Sequence, residues 1–121
     1  MNGRDESIVC KILDYCNEVE VSHRFFHDDK NLFCDRERGI VYRNAISMPV
    51  LQIGELVKNL SENFRCTHSA IPWRSVARMR DLLAHRYGVF DYEQMWDTSH
   101  DSVAKLKQYL LDMNRKTPLE L

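Results

Sequence analysis

Apolar residues recur every three or four positions along almost the whole chain, and little interrupts them. Ile8, Ile12, Tyr15, Cys16 and Val19 trace one stripe within residues 5–26. Val41, Ala45, Met48, Gln52, Leu56 and Leu60 trace a second within residues 35–64. Met95, Val103, Leu106, Leu110 and Met113 trace a third within residues 91–115. This period belongs to amphipathic helices, not to strands. Three prolines and four glycines in 121 residues leave few of the turn signals that a β fold needs.

The remaining punctuation sets the boundaries. Asp5 or Ser7 suits the cap of the first helix, and residues 27–31 form a polar loop. Pro49 falls inside the second helix and predicts a kink or a division there. Gly54 is unfavourable in a helix interior, so it marks a close contact with another helix. Residues 65–70 read as a connection. Pro72 suits the first turn of a helix over residues 72–87, which Gly88 stops. Asp91 and Gln94 resemble a capping box for the last helix. The expected fold is all-α: one domain over residues 1–121, an up-and-down helical bundle of four to five helices.

A net charge of −1 excludes a global field that would attract nucleic acid, so any anion site must be local. Cys10, Cys16, Cys34 and Cys66 form no C-x-x-C pair and read as core residues. No signal peptide and no stretch long enough to span a membrane is legible, which gives the expectation of a reduced, cytoplasmic protein. His23 and His27 are four apart but lack a full ligand set; they read as surface residues, and no metal or cofactor is expected. Trp73 and Trp96 read as core or dimer-interface residues, and Lys105 and Lys107 as part of a solvated helix face.

Chemistry concentrates in one run, Arg80-Asp81-Leu82-Leu83-Ala84-His85-Arg86-Tyr87. On a helix at about 100° per residue, Val76, Met79, Leu82 and Leu83 share an apolar arc. Arg80 and Tyr87 sit at one margin of it. Asp81 and His85 lie across a strip formed by Ala77 and Ala84. Asp81 and His85 are four apart, so the carboxylate can fix the tautomer of the imidazole and favour its charged form. Arg74, Arg78 and Arg86 add positive charge nearby.

These groups suit an RNA phosphodiester. The neighbouring 2′-OH is already present as nucleophile, so cleavage needs a base, an acid and a cation. Histidine moves protons, and arginine presents a permanently charged fork to phosphate oxygens. One histidine does not easily act at two oxygens at once. Two copies of the helix, brought together in a homodimer, would supply two.

The residues Ile71-Pro72-Trp73-Arg74 and Met79 to Tyr87, with Gln52-Ile53-Gly54-Glu55 on the earlier helix, resemble HEPN-domain proteins of the HepT type. Trp96-Asp97 within the last helix extends the resemblance to most of the chain. The family motif is R-x-x-x-x-H-x-Y, met here by Arg80, His85 and Tyr87, with Asp81 as the polar residue after the arginine. Pro49 departs from the family, whose helix is continuous there.

The resemblance implies a dimerising helical bundle that acts as a metal-independent ribonuclease toxin. It also implies an MNT-type nucleotidyltransferase partner that acts as antitoxin. It implies Arg80 and His85 as catalytic residues, Glu55 as a support residue, and Tyr87 as the site where the partner attaches AMP. Two other functions stay open at this point. One is a non-catalytic, nucleotide-binding docking subunit of a nucleotidyltransferase pair. The other is a plain helical interaction protein.

Overall fold

A computed structural model of the chain describes residues 3–74, 76–78, 80 and 91–116. The first helix, α1, spans Gly3–Phe25. Its stripe Ile8, Ile12, Cys16 and Val19 is buried, and Tyr15 packs against the core edge. Asp5 does not cap this helix. It sits inside the first turn, buried, and its carboxylate accepts from the Ser61 backbone N–H at 2.9 Å and the Ser61 hydroxyl at 2.6 Å. Burial alone would raise the Asp5 pKa, but the Ser61 hydrogen bonds, together with the positive charges of Arg4 and the N-terminus, hold the carboxyl below its ordinary value.

The chain leaves α1 through His27 and Asp28, both with positive φ (60° and 51°). Polar residues of this kind tolerate the left-handed region better than apolar ones. The Asp28 N–H then reaches back to the His23 carbonyl at 2.8 Å, which satisfies the end of the helix. A short helix, α2, follows at Lys30–Cys34, capped by the Asp29 side chain on the Leu32 N–H.

The second long helix, α3, spans Ile40–Lys58 and runs through Pro49 without a break. Helix from residue 35 to 64 was expected; instead residues 36–39 are a turn, and a separate helix, α4, occupies Glu62–Thr67. Asp35 closes that turn by accepting from the Glu37 and Arg38 N–H groups. Ser61 caps α4 by accepting from the Phe64 N–H at 3.1 Å. The expected connection over residues 65–70 is therefore helical to Thr67.

The buried face of α3 also differs from expectation. Val41 is 68% exposed and Met48 59% exposed. The row that enters the core is Tyr42, Ile46, Val50, Ile53 and Val57. Both rows are apolar, but this one carries the aromatic and β-branched bulk that fills the space against α1.

Beyond Pro72, the described helical positions are 73, 74, 76–78 and 80, termed α5. The last helical stretch comprises α6, Tyr92–Asp97, a π-helical turn at Thr98–Ser102, and α7, Val103–Lys116. Asp91 caps α6 as expected, accepting from the Glu93 N–H at 2.9 Å. The start of α3 meets the end of α1 where Phe26 stacks on Tyr42 at 4.4 Å, and its far end meets Asp5 through Ser61. The start of α7 also lies by the end of α1: Lys107, expected on a solvated face, contacts Glu20 at 2.8 Å and Asn17 at 3.0 Å. Both helices thus run antiparallel to α1. No strand occurs among the described residues, and the all-α HEPN-like bundle stands, with α2 and α4 as short additions. No described helix is long and apolar enough to cross a membrane.

Candidate active site

The helix α5 is anchored by its first residue. Trp73 is buried, and its indole N–H donates to the His68 carbonyl at 3.0 Å. Val76 and Ala77 pack against the core, while Arg74 and Arg78 are exposed one turn apart. Ala77 therefore does not floor an open strip, as the helical wheel suggested. The buried arc is rotated toward Trp73, Ala77 and Arg80.

Arg80 enters this packing through its stem. It lies against Gly54 of α3, where any added Cβ would run into the Arg80 Cβ. The glycine marks the close helix contact expected from sequence. Beyond it, Arg80 Nε stands 3.2 Å from Glu55 Oε2. The Arg80 side chain is 32% exposed and that of Glu55 is 52% exposed. The arginine stem is thus seated on a helix while its charged head reaches the surface. Consecutive residues of α3 hold its two ends.

Asp81, His85, Arg86 and Tyr87 lie outside the described residues. The structure places Arg74, Arg78 and Arg80 on α5. It adds the partnership of Arg80 with Glu55, which local spacing on either helix does not disclose.

A second polar cluster lies in the core, where the sequence suggested surface histidines. His23 is buried, whereas His27 is exposed. Ser99 donates to the Trp96 carbonyl at 3.2 Å, so it accepts from His23 Nε2 at 3.1 Å. His23 Nδ1 is then an acceptor for the Tyr42 hydroxyl at 2.5 Å. In the neutral ring this chain sets the tautomer, with the proton on Nε2. Burial, with a smaller repulsion from His100, pushes its pKa down to about 4. Burial likewise raises Tyr42, which keeps its proton. The π-helical turn presents Ser99 to this network. His100 from the same turn stacks on Trp96 at 4.8 Å and faces Asp28 at 3.3 Å.

One further expectation is corrected. Cys16 is in the core, with its thiol pushed up to about 12 by burial, but Cys10 and Cys66 are exposed. Sequence reasoning passed over Arg43, which is 3% exposed. Its guanidinium donates to the carbonyls of Phe33, Asp35 and Arg36 at 2.6–2.7 Å and lies over the Tyr92 ring. It is a structural cap that joins α2, α3 and α6. Both tryptophans are core residues. No group of three or more metal-ligating side chains comes together among the described residues.

Comparison with known proteins places this arrangement. The family model described as Ribonuclease HepT-like matches residues 12–113. A relative named as an RNase in Caldanaerobacter subterraneus subsp. tengcongensis is 34% identical over 91 residues, covering 68% of this chain and 81% of its own. A relative named ribonuclease HepT in Thermococcus cleftensis is 31% identical over 96 residues, covering 78% of this chain and 84% of its own. A third, named as an RNase in Methanocaldococcus jannaschii, is 34% identical over 86 residues, covering 71% and 61%. No solved structure matches the chain. The family match spans α5 together with the α3 segment that seats it, and the chain belongs to the HepT-like ribonuclease family of HEPN proteins.

Proposed function

We propose that the protein is a metal-independent RNA endonuclease toxin that cleaves by attack of the 2′-OH on its neighbouring phosphate. The observation that carries this reading is the seat of Arg80 on Gly54 and Glu55, within a chain of the HepT-like ribonuclease family. A side chain held by backbone contact at its stem loses little further freedom when it grips a phosphate. Arg80 stabilises the charge that develops on the phosphate oxygens. His85 transfers a proton, with Asp81 orienting its ring. Arg74 and Arg78, exposed on α5, draw the RNA backbone along it.

The same reading assigns the cell's control of this activity. The partner is an MNT-type nucleotidyltransferase antitoxin that attaches AMP to Tyr87. The added phosphate brings negative charge and bulk beside the arginines, which excludes RNA from them. The protein works in the cytoplasm as a homodimer.

The test is incubation of the purified chain with RNA in EDTA, beside Arg80→Ala and His85→Ala. Wild type is expected to cut and to leave cyclic phosphate ends, and both variants to lose at least about 10²-fold in rate. Cleavage that disappears in EDTA, or persists in both variants, overturns the assignment. Incubation with the nucleotidyltransferase and ATP is expected to add the mass of one AMP to wild type and none to Tyr87→Phe.

A further inference from the structure

RNA cleavage through the 2′-OH has three demands at one phosphate. A cation must meet the non-bridging oxygens, a base must take the 2′-OH proton, and an acid must protonate the 5′-oxygen. The ribonuclease reading assigns a single histidine, His85, to the two proton transfers. The structure brings a carboxylate to the arginine: Glu55 Oε2 lies 3.2 Å from Arg80 Nε. Resting on the ribonuclease reading above, we propose that Glu55 is the general base of the reaction, acting on the 2′-OH of the nucleotide whose phosphate Arg80 holds.

Three observations carry the assignment. First, the 2′-OH neighbours its own 3′-phosphate on the ribose. A carboxylate on one edge of the guanidinium that grips this phosphate is therefore within reach of that hydroxyl. Second, the placement comes from the backbone. Gly54 lets α5 settle onto α3 at Arg80, so the next residue, Glu55, is held beside the guanidinium by helix packing. Third, the carboxylate is open to substrate, since its side chain is 52% exposed. An exposed ion pair of this kind contributes little to folding, so Glu55 can be changed without unfolding the chain.

The step balances as follows. The 2′-oxygen gives its proton to Glu55 and bonds to phosphorus. The bond from phosphorus to the 5′-oxygen breaks. That oxygen takes a proton from the His85 imidazolium. The products are a 2′,3′-cyclic phosphate and a 5′-hydroxyl, and exchange with water resets Glu55 and His85. With Glu55 as base, the 2′-OH proton has an acceptor beside Arg80, and no second histidine is needed to take it.

The experiment compares wild type, Glu55→Gln, Glu55→Asp and His85→Ala as full chains on two substrates. One is an RNA oligonucleotide; the other is a nucleoside 3′-(4-nitrophenyl phosphate), whose leaving group needs no acid. A base is needed for both substrates and an acid only for the first. Glu55→Gln is expected to lose about 10²-fold in kcat on both, with KM changed less than about threefold and the thermal midpoint unchanged. Glu55→Asp, with a shorter reach, is expected to keep part of the rate. His85→Ala is expected to lose heavily on RNA and little on the activated substrate.

Several results would overturn the proposal while leaving the ribonuclease reading intact. One is Glu55→Gln within about threefold of wild type on both substrates, the result a partner's histidine acting as base would give. Others are a loss confined to KM, or one confined to RNA. A wild type inactive on both substrates would overturn the ribonuclease reading, and the proposal with it.

Discussion

At the scale of single residues, His23 makes the fold sensitive to mild acid. It is neutral in the core, with its pKa near 4 against an ordinary 6.5. A base with a lowered folded pKa binds fewer protons folded than unfolded between those two values. Its contribution is therefore complete above about pH 6.5 and lost as pH falls toward 4. The loss approaches roughly 3 kcal/mol at 1.36 kcal/mol per pH unit. Asp5 acts in a different window. Its lowered pKa gives stability that is present above about 3.8 and lost below it. Urea unfolding between pH 7.5 and 4.5 therefore isolates the histidine. Stability is expected to fall over that range in wild type. In His23→Gln it starts lower but is expected to stay nearly flat; an equal slope in both would place the acid sensitivity elsewhere.

The histidine also shows why residue roles were only partly legible. Apolar neighbours four apart predicted the stripe of α1 correctly. The burial of His23 depended on Tyr42 and Ser99, which are remote in the chain and become its hydrogen-bond partners only on folding. Arg43 was invisible for the same reason, since nothing local says that three carbonyls will converge on it.

At the scale of elements, the contact between α3 and α5 has the smallest tolerance. Gly54→Ala puts a methyl where the Arg80 Cβ already stands. The neighbour is the base of a side chain next to its own backbone, so relief requires α5 to shift as a unit. Overpacking of this kind costs about 1–3 kcal/mol. A thermal midpoint lowered by several degrees is expected, together with a loss of RNA cleavage larger than the lost stability explains. Full activity at a lowered midpoint would show that the seat of Arg80 is purely structural.

The tie between α1 and α4 gives a second test at this scale. Ser61 both caps α4 and donates to the buried Asp5 carboxylate. Ser61→Ala removes the cap and one of the two bonds to a charge. It is expected to cost about 2 kcal/mol in urea unfolding without changing activity.

Elements were more legible than their orientations. Periodicity located α1, α3 and the last helical stretch, and Gly54 announced the close approach. It misread the buried face of α3 because two adjacent rows are apolar, and a pattern within one helix cannot say which row meets α1. Pro49 overstated the break: losing one backbone bond to Ala45 is a local defect, and burial of the whole face holds α3 together. The short helices α2 and α4 span too few residues for a periodic signal; only their caps, Asp29 and Ser61, mark them.

At the scale of the whole molecule, a net charge of −1 means that RNA gains little from long-range attraction. In the proposed function binding comes from the arginines of α5, and counterion release then counts how many phosphates they engage. Arg74, Arg78 and Arg80 give three contacts per chain. For single-stranded RNA the slope of log affinity against log salt is about −0.7 per contact. A monomer would therefore show a slope near about −2, and the proposed homodimer, with two α5 helices on one strand, near about −4. Fluorescence anisotropy with a 2′-O-methyl RNA, which lacks the attacking hydroxyl, measures this without cleavage. The expected slope is about −4, and Arg78→Gln, which removes one contact from each copy, is expected to bring it near about −3. The exposed Lys105 on α7 serves as a control, and Lys105→Gln is expected to leave the slope unchanged. A wild-type slope near about −2 would mean that RNA is bound by one copy at a time. A lowered slope in Lys105→Gln would move the RNA path from α5 onto α7.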